Sequence, residues 1–264
     1  MKKSLNILFL FLLLGSCEEP VSREFNNDPG LRIVADAIIT NVPGESYLKL
    51  SRQTANPNEV PETVSGAWVA VTDGSRTELF AEDTMEKGTY RPDPSARAVS
   101  GKVYGLLIVA DNKRDSAFTY LEPVSPLREF KTIPDKSRPG YFFISGDENG
   151  DPAMIHYQID TLNYLPEGTK HVELYEYILG SFDIAQIFSP KKESLSFPSG
   201  SRVIRKKYSL NQEYEAFLRA VLSETEWRGG LFDVEAGTPK GNFRNNTLGF
   251  FAGCSLVMDT VYIP

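Results

Sequence analysis

The sequence has little histidine and cysteine, the residues on which most protein metal sites depend. Its 264 residues include two histidines, His156 and His171, and two cysteines, Cys17 and Cys254. No His-Glu-x-x-His or Cys-x-x-Cys spacing occurs, and both histidines fall in strand-like segments. Zinc sites need such closely spaced ligands. We therefore expect no metal at either histidine, and expect both to be solvated or hydrogen-bonded strand residues.

The signatures of common enzyme classes are missing too. There is no Gly-x-Ser-x-Gly nucleophile elbow and no glycine-rich phosphate loop. The sequence therefore predicts a protein that is not an enzyme and holds no cofactor. A glycan or peptide hydrolase stays open as an alternative, because a sequence does not give the distance between two carboxylates.

Positive charge is in the minority, with 28 Lys and Arg against 35 Asp and Glu, for a net charge of −7. An acidic surface repels nucleic-acid phosphates, so we expect no nucleic-acid partner. Hydrophobic residues make up 41% and charged residues 24% of the chain, as in an ordinary folded protein.

An apolar run near the start is too short to cross a membrane. It covers Leu5 to Leu14 and follows Lys2 and Lys3. Ten helical residues rise about 15 Å, which is half of a hydrocarbon core. A basic head, a short apolar segment and small residues before a cleavage site predict a secretory signal peptide over residues 1–16.

The residues around Cys17 indicate how the protein is anchored. Leu-Gly-Ser-Cys resembles the bacterial lipobox, which implies lipid attachment at Cys17, and Glu18-Glu19 resembles the surface-export signal of Bacteroidota lipoproteins. Several acyl chains on one cysteine give stable membrane attachment. An uncleaved anchor helix, or a secreted protein with a chance cysteine, are the alternatives. Residues 17–30 are polar and contain proline and glycine, so they predict a flexible tether. Cys254, among apolar and small residues, is expected to be a buried, inert thiol.

Residues 31–122 are predicted to form a β-sandwich of the immunoglobulin or transthyretin type. Short runs with a period of two are separated by turn signals every eight to twelve residues, and Asp73-Gly74 is a strong hairpin signal. The predicted strands are 31–40, 46–52, 67–72, 76–81, 89–91, 103–110 and 116–121.

Residues 123–264 are predicted to form an antiparallel β-domain with one helix near 210–224, beyond a boundary marked by two prolines. An apolar stripe indicates the helix, and Ser209 with Gln212 has the spacing of a capping box. The predicted strands are 128–133, 141–145, 153–162, 171–179, 202–208 and 255–264. The basic strand over 202–207 is expected to be solvated, with contact to an acidic partner as the alternative. Most of the many aromatic residues should fill the core, and a few could stack on a sugar or contact a partner.

One acidic loop partly matches a calcium-binding loop. Asp147, Asn149 and Asp151 alternate as the first three oxygen ligands of such a loop do, but Pro152 and Gln158 stand where glycine and a bidentate glutamate are needed. We therefore predict a hairpin connection between the flanking strands, with calcium as the alternative. Four Asp-Ser/Thr-apolar triplets resemble an O-glycosylation motif of Bacteroidota, and they begin at Asp83, Asp115, Asp160 and Asp259.

Longer segments carry a family resemblance. Four segments resemble a Bacteroidota family of outer-membrane lipoproteins that is named as a domain of unknown function. They are residues 31–41, 64–74, 87–90 and above all 241–251, which read Gly-Asn-Phe-Arg-Asn-Asn-Thr-Leu-Gly-Phe-Phe. Genes of that family often lie beside TonB-dependent receptors of the starch-utilisation type. The resemblance supplies no catalytic residues, and Cys254 stands where a small residue is more usual.

The resemblance implies a surface-exposed lipoprotein in the outer membrane. It would be a binding or accessory module for a TonB-dependent β-barrel transporter, with a glycan or peptide as its ligand. A structural or adhesive surface lipoprotein is the alternative, because a β-sandwich serves either role.

Overall fold

A computed structural model describes residues 32–54, 58–146, 150–161, 171–180, 187, 194–227 and 239–264. The fold is mainly β, as the sequence predicts. The strands are β1 (Ile33–Thr40), β2 (Tyr47–Arg52), β3 (Trp68–Thr72), β4 (Thr77–Glu82), β5 (Thr89–Arg91), β6 (Val103–Ala110), β7 (Lys113–Tyr120), β8 (Lys131–Pro134), β9 (Tyr141–Ser145), β10 (Ala153–Asp160), β11 (His171–Ile178), β12 (Ser196–Pro198), β13 (Arg202–Ser209), β14 (Leu248–Cys254) and β15 (Leu256–Tyr262), and the helix described in full is α1 (Gln212–Glu224).

The largest sheet has eight strands in the order β14-β1-β2-β5-β4-β3-β6-β7. Side chains alternate between its faces, and the inward set forms a single apolar core that draws on both halves of the sheet, including Ile39, Leu50, Phe80 and Leu106. The two halves therefore face each other across that core, as the layers of a sandwich do. All seven strands predicted for residues 31–122 belong to this sheet.

The two edge strands of the large sheet, β7 and β14, approach each other and nearly close it. A parallel bridge joins Glu122 to Cys254, and an antiparallel bridge joins Ala117 to Phe243. Strand β14 is itself parallel to β1 and comes from far along the chain. The division at residue 122 stays a prediction, but this strand from the second part completes the sheet of the first.

A second sheet, in the order β11-β10-β13-β15, packs against the outside of the large sheet. Met154 and Tyr208 on one face join Ile38 and Phe250 of the large sheet, together with Leu218 of α1, in one apolar cluster. The opposite face meets a third sheet, in the order β12-β9-β8, through a further cluster. The helical stripe packs on a sheet as predicted.

Two sequence predictions about local structure are wrong. The expected hairpin between β9 and β10 does not form, because β9 pairs with β8 and β12 while β10 pairs with β11 and β13. The helix N-cap is Asn211, whose side chain accepts from the backbone N–H of Tyr214 at 2.9 Å. Ser209 is still in β13, and its hydroxyl donates to the carbonyl of Glu122 at 2.6 Å.

The prediction of a solvated basic strand is also wrong for two of its residues. Arg205 and Lys207 are 6% and 1% exposed, because β13 lies inside its sheet and the linker after residue 122 covers that face. The Arg205 guanidinium forms an ion pair with Asp259 at 2.6 Å, and the Lys207 ammonium donates to the Ser125 hydroxyl at 3.1 Å. Buried cations of this kind require such partners.

Candidate functional site

A cavity of about 520 Å³ opens at one end of the large sheet. Its floor is apolar and comes from inward-facing residues of β1, β3, β4 and β6, while its rim comes from the turns β1–β2, β3–β4 and β5–β6. The mouth of a β-barrel is a common place for a ligand, and the volume is that of a small-molecule site. We call it the mouth cavity; Ile39, Val71, Phe80 and Tyr104 line its floor.

Polar contacts join the segments that surround the mouth cavity. The Tyr104 hydroxyl accepts from the backbone N–H of Val99 at 2.6 Å, and this contact fixes the β5–β6 connection over the floor. The Lys102 ammonium lies 2.8 Å from the Asp73 carboxylate, which joins two rim segments. This hydrogen bond with Lys102 holds the pKa of Asp73 well below its ordinary value.

The rim carries more positive than negative charge, in contrast to the whole chain. Its cations are Arg76, Arg97 and Lys102, and its carboxylates are Asp73 and Glu78. Lys102 is paired with Asp73, whereas neither arginine guanidinium has an ion pair or hydrogen bond within the part of the chain that the structure describes. Two arginines that line a cavity with an apolar floor, and whose guanidiniums are unpaired, are suited to an anionic group on an apolar ligand.

The residues predicted to carry the anchor lie outside the described part of the chain. These are Cys17, Glu18 and Glu19, together with the signal peptide over 1–16 and the tether over 17–30. Their roles stay predictions. Among the described residues, no helix has the length and apolar character needed to span a bilayer.

The acidic loop falls largely outside the described residues as well. Asp147 and Asn149 are not described, and Asp151 is exposed. No group of three metal-binding side chains is assembled in the described ranges. Calcium at this loop stays an untested alternative.

The two histidines lie on the same face of the second sheet but differ in their surroundings. His171 is exposed, and its Nδ1 lies 2.9 Å from an Asp160 carboxylate oxygen, so the prediction holds for it. The prediction is wrong for His156, which is buried with its ring stacked on Tyr175. Its Nε2 lies 3.5 Å from a Glu173 carboxylate oxygen but forms no hydrogen bond in the described structure. Burial lowers the pKa of His156, whereas hydrogen bonds to Asp160 and Glu173 raise that of His171.

The segment 241–247, the best part of the family motif, is structural. The Asn242 amide donates to the carbonyls of Phe118 and Phe251 at 2.9 and 2.8 Å, and accepts from the Phe251 N–H at 2.9 Å. It therefore joins the two edges of the large sheet. Cys254 is fully buried as predicted, and desolvation raises the pKa of its thiol far above the ordinary value.

The four possible glycosylation triplets have different settings. Thr84 is exposed in a turn between β4 and β5, while Thr260 lies in the paired strand β15, as expected for the last triplet. Asp115 is buried, and the triplet at Asp160 ends outside the described residues. Only Thr84 combines exposure with a turn among the triplets described in full.

A family model named Domain of unknown function (DUF4249) matches residues 18–259. The chain belongs to this family. No match to the chain is found among curated proteins. The match includes every described strand except the last residues of β15, so the large sheet, its mouth cavity and the closing segment 241–247 all lie within the family domain.

Sequence analysis missed the arginines of the mouth cavity, because no motif contains them. Arg76 follows the Asp73-Gly74 turn, and Arg97 lies in a Pro- and Ser-rich connection. One signal was available. In a sheet whose successive strands are antiparallel, alternate connections fall at the same end, which places the connections after β1, β3 and β5 together. The sequence does not show that they surround a cavity.

Proposed function

We propose that this protein is a ligand-binding lipoprotein on the outer membrane surface and an accessory module of a TonB-dependent transporter. The observation that carries the proposal is the position of the mouth cavity. Strand β1 enters the sheet at Ile33 and reaches the cavity wall at Ile39, so the cavity lies about 20 Å along the strand from the end that joins the N-terminal tether. An anchor at Cys17 would attach the domain at the end of β1 opposite to the cavity, which leaves the cavity free to face away from the membrane.

The chemistry of the cavity supports a ligand with an apolar body and an anionic group. The floor would exclude water from the apolar part, and Arg76 and Arg97 would bind the anion. A cavity of this form favours ligand binding over a purely structural or adhesive role.

A matched pair of fluorescent probes tests the cavity. 1-Anilinonaphthalene-8-sulfonate carries an anion, and N-phenyl-1-naphthylamine has the same ring system without one. We expect the sulfonate to bind more tightly, and replacement of both Arg76 and Arg97 by Gln to weaken its binding by about tenfold or more. Arg114→Gln, at the other end of the sheet, should have no effect. Equal binding of the two probes would contradict an anion site.

The outer face of β3, β6 and β7 supports contact with a partner protein. Val103, Phe118 and Tyr120 lie near one end of this face, where Val103 is opposite Tyr120, and Trp68 lies nearer its other end, opposite Val109 of β6. All four side chains are exposed by 40% or more. Exposed apolar patches of this kind are typical of protein interfaces. In the proposed function the partner is the transporter barrel.

Purification in mild detergent through a tag on this protein tests the partner. A β-barrel receptor should be recovered with the protein, and less of it with Trp68→Ser. Met85→Ser is the control, because Met85 is 93% exposed in an isolated turn. Repeated recovery without any barrel would contradict the accessory role.

Fractionation of cells tests the anchor. Cys17→Ala should release the protein from the membrane fraction, because the acyl chains would then have no attachment point. A Cys17→Ala protein that stays membrane-bound and unprocessed would show that the anchor is not a lipid.

A further inference from the structure

A groove of about 400 Å³ lies on the outer face of the large sheet, beside the start of α1. Phe118, Tyr120 and Glu122 line it from β7 and the residues that follow β7. They are two residues apart, and alternation along a strand therefore puts their side chains on one face. Val103 lies opposite Tyr120 on β6 and adds to the apolar lining. We call this the β7 groove.

The first residues of α1 complete the β7 groove. Gln212 and Glu213 line it from the first turn of the helix. The Asn211 side-chain nitrogen donates to the Tyr120 carbonyl at 2.8 Å and to the Thr119 hydroxyl at 3.2 Å. These two hydrogen bonds fix the start of the helix against β7, so the groove is a defined space between two elements.

The two carboxylates of the β7 groove lack a cationic partner. Neither Glu122 nor Glu213 has a side-chain ion pair or hydrogen bond in the part of the chain that the structure describes. The described residues that line the groove include no lysine or arginine. The start of α1 contributes only about half a positive charge, which is less than the two full negative charges. The groove is therefore suited to a cation.

Two cations near the groove have other contacts. Lys102 lies just before β6, but its ammonium is 2.8 Å from Asp73 at the rim of the mouth cavity. The Arg244 guanidinium lies over the Phe118 ring, 4.7 Å from the ring centroid, and is not part of the groove lining. The Tyr120 ring has no cation over it among the described residues. One aromatic ring of this face thus already binds a guanidinium, and the next ring along β7 is open to another.

Arginine fits this combination of groups better than lysine. Its planar guanidinium donates to carboxylates in pairs, stacks on aromatic rings and loses hydration more easily than an ammonium. A cation–π contact with tyrosine adds to the ion pair. Arginine and aromatic residues are also enriched among those that contribute most to the affinity of protein interfaces. The exposed apolar side chains beside the carboxylates make the groove part of a surface of that kind.

We propose that the β7 groove binds an arginine side chain of a partner protein. The guanidinium binds Glu122 and Glu213 and lies against the Tyr120 ring. Apolar residues next to the arginine contact Phe118 and Val103. The proposal gives the chemistry of the partner contact at this end of the outer face, and it rests on the proposed function only for the identity of the partner as the transporter barrel.

A matched pair of peptides tests the groove without the transporter. Acetyl-Leu-Arg-Leu-amide carries the guanidinium between two apolar residues, and acetyl-Leu-citrulline-Leu-amide replaces it by a neutral urea group of the same shape. NMR titration of the purified full chain measures both affinities. We expect the arginine peptide to bind about tenfold more tightly than the citrulline peptide, because hydrogen bonds between two charged groups are stronger than those from a neutral donor.

Two double variants with the same change in net charge locate the binding. Glu122→Gln with Glu213→Gln should weaken binding of the arginine peptide by about tenfold and leave binding of the citrulline peptide unchanged. Glu59→Gln with Glu129→Gln is the control, because both of these glutamates are exposed and neither lines the groove. The control should bind the arginine peptide as tightly as the unchanged protein does.

Three results would overturn the proposal: no saturable binding of the arginine peptide, equal binding of the citrulline peptide, or equal affinity in the two double variants. Glu213→Gln alone serves where the double variant does not fold, because Glu213 is exposed, and it should weaken binding by about threefold. If the arginine peptide fails to bind but a barrel receptor is still recovered with the protein, this groove alone is rejected. Intact peptide binding without recovery of any barrel would reject the accessory role instead.

Discussion

Asp115 is a buried carboxylate that joins two distant parts of the chain. It accepts backbone N–H bonds from Asn245 at 3.0 Å and Thr247 at 2.9 Å, as well as one from its neighbour Ser116 at 2.7 Å. Burial raises the pKa of Asp115, but these hydrogen bonds outweigh it and hold the pKa below its ordinary value. The carboxylate therefore fixes the closing segment against β7.

Replacing Asp115 by Ala should lower the free energy of unfolding by about 3 kcal/mol, because buried backbone donors lose a charged acceptor. Chemical denaturation at pH 7 measures the loss. The lowered pKa means that the stability contributed by Asp115 is complete above its unfolded value, near 3.8, and is lost as the pH falls through the folded value. A difference between the proteins that stayed constant down to pH 2 would contradict this role.

Asp36 differs from Asp115 because folding raises the pKa of its carboxyl group rather than lowering it. The ionised carboxylate therefore destabilises the free protein at neutral pH, and the penalty disappears as the pH falls below the folded pKa toward the unfolded value. Asp36→Asn should raise the melting temperature at pH 7 and lose that advantage near pH 3. A lower melting temperature at pH 7 would show instead that the carboxylate is structural.

At the scale of elements, α1 depends on Asn211 in two ways. The amide oxygen caps the first turn through Tyr214, and the amide nitrogen donates to the Tyr120 carbonyl at 2.8 Å and the Thr119 hydroxyl at 3.2 Å. Two acidic residues in the first turn, Glu213 and Glu215, add a favourable interaction with the helix dipole. Asn211 thus positions the helix against β7 as well as starting it.

Asn211→Ala should destabilise the protein by about 2 to 3 kcal/mol, since it removes both the cap and the donors to β7. Asn211→Ser keeps an oxygen that can cap the helix but is too short to reach both partners on β7. The stability of Asn211→Ser should therefore lie between those of the unchanged protein and Asn211→Ala. Thermal and chemical unfolding measure this order. A serine variant no more stable than the alanine variant would show that the cap contributes nothing.

At the scale of the whole molecule, the fold depends on the pairing of β14 with β1. Gly249 lies opposite Ala35 with a φ of +94°, and a Cβ at this glycine would overlap the Ala35 carbonyl oxygen. Two chain segments more than two hundred residues apart approach this closely because the glycine has no side chain.

Gly249→Ala should therefore destabilise the protein by more than about 3 kcal/mol, because backbone strain and steric overlap add together. Gly74→Ala is the matched control. Gly74 also has a positive φ, +86°, but its Cβ would meet open space, so the cost should be about 1 kcal/mol. Equal melting temperatures for the two variants would contradict the close approach of β14 and β1.

Strand positions in the first half were predictable because they depend on local pattern. Val69 and Val71 alternate with polar or outward residues, and Asp73-Gly74 forms the expected turn, with Gly74 at positive φ. Strands β12 and β14 were missed, since β12 has three residues and β14 contains two glycines that lower its strand propensity.

The candidate sites were less predictable than the strands. Arg76 and Arg97 of the mouth cavity come from separate turns. No residue type or spacing relates them along the chain. The surroundings of His156 were also not predictable from the sequence. Its position in a strand did not reveal that its imidazole would be buried against the ring of Tyr175.

The sequence by itself determined the mainly β fold, the amphipathic helix and the burial of Cys254, because side-chain periodicity and local apolar content act over a few residues. The tertiary structure decided the rest. It brought β14 back to β1, used Asn242 and Asp115 to close the sheet, and placed the mouth cavity where separate strands and turns meet. These features depend on contacts between residues that are distant in the chain, and such contacts form only when the packed core selects one arrangement of the strands.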